Sequence, residues 1–99
     1  MDKPHKKHDV WKLSMELSRR IDLLTVHFSS EEKFGLTSQM RRAAISIPSN
    51  LAEGAARRSN NEFRKFLSIA RGSLSELDTQ LDLSRHLGFV TETARLEVI

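Results

Sequence analysis

The 99-residue chain contains no cysteine. That excludes disulfide staples, thiol nucleophiles and thiolate metal sites. It has no tyrosine, one tryptophan and five phenylalanines. Most of the phenylalanines fall on apolar stripes, so no aromatic platform is left for stacking single-stranded bases. Two prolines and four glycines leave room for long uninterrupted helices. No apolar run approaches the roughly 20 residues of a membrane span, and nothing resembles a signal peptide. The expected compartment is the cytoplasm. A His-Glu-x-x-His pattern, a phosphate loop and a nucleophile elbow are all missing, so no enzyme, cofactor or metal is expected. His5 and His8 have helix-compatible spacing, but MDKPHKKH (residues 1–8) reads more simply as a loose basic tail.

What the chain does have is an uneven distribution of charge. Its net charge of +3 divides into +1 over residues 1–40, +5 over 41–71 and −3 over 72–99. A basic middle attracts phosphate, yet it also complements the acidic end of the same chain. Ninety-nine residues allow one domain with a thin core, placed at residues 9–99. Assembly into an oligomer is a common remedy for a thin core.

Helical periodicity begins at Asp9, which suits an N-cap. Val10, Leu13, Leu17, Ile21, Leu24 and Phe28 recur at steps of three and four. Ser29, Ser30 and Gly35 mark a connection. A second stripe, Leu36, Met40, Ala43, Ile47 and Leu51, is interrupted by Pro48, which removes a backbone donor and crowds the preceding turn. One helix kinked at Pro48 is favoured because the stripe stays in register. A break with a new start at the capping-box pair Asn50 and Glu53 is the alternative. Ser59 with Glu62 opens the longest helix, whose seam is Phe63, Leu67, Ala70, Leu74, Leu77 and Leu81. Gly88 suits its end. Thr91 then caps a short fourth helix, TETARLEVI. The expected fold is all-α, an antiparallel up-and-down four-helix bundle with a short or truncated fourth helix.

Folding helices two and three back on each other pairs residues whose numbers sum to about 117. Ala43, Ala44, Ser46, Ala70, Gly72 and Ser73 then share one level, and Gly72 would allow two backbones to approach closely, offsetting its cost of about 1 kcal/mol in a helix. Glu53 would face Arg64, and Arg41 and Arg42 would face Glu76 and Asp78. Gln39, Ser46 and Asn50 would be buried polar residues requiring partners, with a network around Pro48. Arg57 and Arg58, at the turn, are least explained by internal pairing. They lead a candidate nucleic-acid set completed by Arg64, Lys65, Arg41 and Arg42, with the tail lysines Lys3, Lys6 and Lys7 in addition. The plainer account of Arg57 and Arg58 is that cations at a helix C-terminus are favoured by its dipole.

Gly35-Leu36-Thr37-Ser38-Gln39, Ser46-Ile47-Pro48-Ser49-Asn50, Ala52-Glu53-Gly54 and Ala70-Arg71-Gly72-Ser73-Leu74 with Glu76-Leu77 carry a resemblance. From about Asp9 to Val90 the chain resembles the 23S ribosomal RNA intervening-sequence protein family. The resemblance implies an antiparallel four-helix bundle that assembles as a homopentamer, and it marks Gln39, Ser46, Pro48, Asn50, Glu53, Gly54, Arg71, Gly72 and Glu76 as structural motif residues. Similar proteins are sometimes encoded within inserts in ribosomal RNA genes, and relatives acting with retroelement reverse transcriptases bind nucleic acid and protein. The fourth helix departs from the family by being shorter. Two functions are therefore expected to compete: an oligomer binding RNA or other nucleic acid through a basic surface, and a protein-interaction scaffold with no nucleic-acid role.

Overall fold

A computed structural model describes residues 8–91 and residue 94. Among these residues there are three α-helices, one 3-10 turn and no strand. α1 spans Asp9–Thr25, α2 Leu36–Ala55 and α3 Asn60–His86, with the 3-10 turn at Ser30–Glu32. The long axis of 44 Å is close to the roughly 40 Å that 27 helical residues span, so α3 sets the length of the molecule.

The N-cap of α1 is His8, without a side-chain bond; Asp9 is instead the first helical residue, with its carboxylate in the first turn. Ser29 caps the 3-10 turn by accepting from Glu31 N–H at 3.3 Å. Glu32 Oε2 accepts from the first amide of α2, Leu36 N–H, at 3.1 Å. This second cap is side-chain chemistry four residues away from the helix start, outside the usual capping-box spacing.

α2 runs unbroken through Pro48. Asn50 does not restart a helix. Its Nδ2 donates to the Ser46 carbonyl at 2.7 Å and to Ser46 Oγ at 2.9 Å, while Ser49 Oγ donates to the Ile45 carbonyl at 2.7 Å. These bonds add side-chain donors to the Ile45 and Ser46 carbonyls beside the proline, whereas the carbonyl deprived of its amide donor by Pro48 is that of Ala44. Met40, Ala43, Ile47 and Leu51 are buried, as their periodicity predicts.

α3 begins as expected, with Ser59 Oγ accepting from Glu62 N–H at 3.2 Å. It ends at Gly88, which takes φ +80. Phe89 N–H reaches back to the Ser84 carbonyl at 2.9 Å and Gly88 N–H to Arg85 at 3.0 Å. This is the Schellman pair of bonds, for which glycine is the natural residue. Phe89 then packs on Phe28, ring centroids 5.4 Å apart and tilted 44°, joining the end of α3 to the end of α1. Of the predicted fourth helix, Ala94 is helical and donates its N–H to Thr91 Oγ1 at 3.0 Å; the remainder lies outside the described residues.

The helices pack in sequence, α1 on α2 and α2 on α3. No Cα of α1 comes within 8 Å of a Cα of α3. Most of the stripe predicted for α1 faces the core: Ile21 and Phe28 are buried, and Leu17 and Leu24 pack partly buried against it. Ser14, Ile21 and Thr25 are buried, whereas Val10 is 57% and Leu13 70% exposed. Ser14 Oγ and Thr25 Oγ1 donate to carbonyls of their own helix at 2.7 and 2.8 Å. Their hydroxyl protons are satisfied within α1, which lets both side chains be buried. Leu74 likewise stands 49% exposed. Ser73, one position earlier, faces α2 and donates to Ser46 Oγ at 2.8 Å.

The expectation for Gly72 is corrected. Gly72 is exposed and a Cβ added there would meet nothing within 4 Å. The close approach occurs at buried Gly54, where a Cβ would stand 3.0 Å from Phe66 Cβ and 3.4 Å from the Phe63 carbonyl oxygen. Gln39 is also corrected: it is exposed. Arg71 is exposed, and exposed Glu76 accepts from Gln80 Nε2 at 3.2 Å.

Candidate functional site at the turn between the second and third helices

α2 stops at Ala55 and the chain needs only residues 56–59 to reverse. Ala56 is still right-handed, φ −82 and ψ −9. Ser59 is extended, φ −108 and ψ 148, the backbone that lets its hydroxyl cap α3. Arg57 and Arg58 occupy the short connection between these two states. An open concavity of about 240 Å³ lies here, lined by Gly54, Arg57, Arg58, Ser59 and Phe63, with His8 from the start of α1 on its rim.

The two arginines differ sharply. Arg57 Nη2 lies 3.0 Å from Glu53 Oε2, and its guanidinium sits 4.9 Å from the centre of the Phe66 ring. The expectation that Arg57 is among the cations least explained by internal pairing, and that Glu53 faces Arg64, is therefore corrected. The i, i+4 spacing with glutamate first is the favourable order for such a pair. Arg58, Arg64 and Lys65 are exposed, and no ion pair joins them to another described residue. Arg64 and Lys65 follow the turn within the first two turns of α3, so Arg58, Arg64 and Lys65 share this end of the molecule.

Arg41 and Arg42 do not. Most of α2 separates Arg41 from its end at Ala55, about 21 Å of helix, before the turn that holds Arg57. Arg41 turns to α1 rather than to Glu76 and Asp78. Its Nε donates to Thr25 Oγ1 at 2.9 Å and lies 3.7 Å from Asp22 Oδ1. Position 41 shares a flank of α2 with Ala44 and Pro48, three and seven residues on, and Arg41 ties that flank to α1. Arg42 is exposed and makes no ion pair with a described residue. Thus the candidate cations divide into a cluster at the turn and a pair near the opposite end.

Sequence reasoning missed Phe66, which falls off the seam predicted for α3. It is the side chain on which both the Gly54 contact and the Arg57 stack rest. Part of the signal was present in spacing: under the antiparallel pairing Gly54 faces Phe63, and Phe66 lies three residues further along α3. His8, at the rim, belonged in expectation to the tail. Among the described residues no group of three or more His, Cys, Asp or Glu is placed to hold a metal, and no helix is long and apolar enough to cross a membrane.

The sequence model of the 23S rRNA-intervening sequence protein family matches residues 6–98. The chain belongs to that family. The match spans all three helices and the turn, so the Ser46–Asn50 network, the Gly54 contact and the cation cluster all fall within the family domain. No curated protein sequence matches the chain.

Proposed function

We propose that this member of the 23S rRNA-intervening sequence protein family is a non-enzymatic, cytoplasmic, oligomeric four-helix bundle that binds RNA through the phosphate backbone at the α2–α3 turn. The observation that carries the reading is the gathering of Arg58, Arg64 and Lys65 at one end without acidic partners among the described residues. Uncompensated exposed cations supply a sequence-independent attraction to phosphate. The absence of tyrosine and the single tryptophan favour backbone contact over base stacking. The candidate lysines Lys3, Lys6 and Lys7 lie outside the described residues. For the bundle, the support is that α1 and α3 both pack on α2 without their backbones meeting, which leaves a place opposite α2 for a fourth helix; a homopentamer follows the family resemblance.

The test is fluorescence anisotropy of a labelled single-stranded RNA across a salt series. Wild type should bind at low salt with affinity falling steeply as salt rises. Arg58→Gln, Arg64→Gln and Lys65→Gln should each flatten the log–log slope by about 0.7. A triple variant that binds like wild type sinks the proposal. A second reading, a scaffold for protein contacts, is favoured by Ile45, Ile69, Leu83 and Leu87, which are 61, 44, 47 and 54% exposed and form apolar surface of the kind partners cover.

A further inference from the structure

Resting on the RNA reading, we infer that Glu53 is an internal competitor for phosphate: its carboxylate occupies Arg57, which becomes an additional phosphate ligand when Glu53 is displaced. Arg57 and Arg58 line the same concavity, yet only Arg57 is neutralised, by Glu53 at 3.0 Å. A carboxylate oxygen on a guanidinium has the geometry and charge of a phosphate oxygen in the same place, because Arg presents a planar fork of donors suited to both. The pair is exposed, with 43% of the Arg57 and 59% of the Glu53 side chain accessible, so it is held weakly and exchanges readily. Phe66 lies under the guanidinium at 4.9 Å and makes no demand on the carboxylate. When Glu53 swings away, the ring keeps Arg57 in position. The turn therefore holds one cation always open, Arg58, and one conditional on phosphate outcompeting Glu53.

Glu53→Gln removes the competitor and preserves the shape of the side chain. Glu62→Gln is the control, since it removes one exposed acid from the same end without touching Arg57. By anisotropy with single-stranded RNA, Glu53→Gln should bind severalfold tighter than Glu62→Gln, with a salt slope steeper by about 0.7. In an Arg57→Gln background the two substitutions should become equivalent. Helical circular dichroism checks that each variant is folded. If Glu53→Gln merely tracks Glu62→Gln while wild type binds and Arg58→Gln flattens the slope, this inference is overturned and the RNA reading stands. If neither wild type nor Glu53→Gln binds at low salt, both fall together.

Discussion

The Cβ of Phe66 stands 3.0 Å from the point where a side chain on Gly54 would begin. Around the same point lie Phe63 Cδ2 at 3.3 Å and the Phe63 carbonyl oxygen at 3.4 Å. Two of these atoms are backbone or next to it and cannot move without shifting α3. Gly54→Ala should therefore destabilise the fold, although alanine is the better helix former. Overpacking costs about 1–3 kcal/mol, against about 1 kcal/mol gained in helix propensity. A net loss of about 1 kcal/mol, lowering Tm by about 4–8 °C for a domain of this size, is expected in thermal unfolding. A Tm at or above wild type would show that the hairpin has slack at this level.

Gly72→Ala should do the opposite. Gly72 lies inside α3 and a Cβ there meets nothing within 4 Å. With no neighbour to clash, the helix gains up to about 1 kcal/mol, and Tm should rise by about 4–8 °C. Measuring at several protein concentrations adds a second readout. If Gly72 lies against another copy of the chain, the gain should shrink as concentration rises and the copies associate.

These two glycines show what the sequence made legible and what it did not. Helix boundaries, the Ser59 cap, the Gly88 stop and the antiparallel pairing all follow from local chemistry, and Ser46 meets Ser73, next to the Arg71 and Gly72 level that the facing arithmetic gives. The rotation of each helix about its own axis does not follow. On α1 the predicted stripe holds at Ile21 and Phe28 and in part at Leu17 and Leu24, but Ser14 and Thr25 are buried where Val10 and Leu13 are exposed. A glycine's context depends on that rotation, so the close approach was assigned to Gly72 when it belongs to Gly54. The same uncertainty sent Arg41 in expectation to α3 when it faces α1. At the candidate site, the residue types and their location at the turn were legible; which arginine is neutralised was not, because an i, i+4 partner and a cross-helix ring compete with the facing residue for it.

The rotation also separates two kinds of exposed apolar surface, and this gives the last prediction. Asp22–Arg41 marks one edge of the α1–α2 seam and Ser46–Ser73 one edge of the α2–α3 seam. Arg41 and Ser46 stand on opposite flanks of α2, with Met40, Ile47 and Leu51 between them, so both bonds lie on the outer edges. Leu13 is nine residues from Asp22, half a turn around α1, and Leu74 lies about 100° from Ser73. Both therefore face the space opposite α2. Ile69 is four residues before Ser73 and shares its outer flank. If a fourth helix fills the space opposite α2, Leu13→Asp and Leu74→Asp each put a carboxylate into a core, and urea denaturation should show a loss of about 2 kcal/mol or more. Ile69→Asp should leave unfolding within about 0.5 kcal/mol of wild type under dilute conditions. In sedimentation velocity, however, it should shift the protein to smaller species, as expected where an outer apolar flank is covered by another copy. Equal losses of stability at Leu13, Leu74 and Ile69 would remove the distinction between the two surfaces.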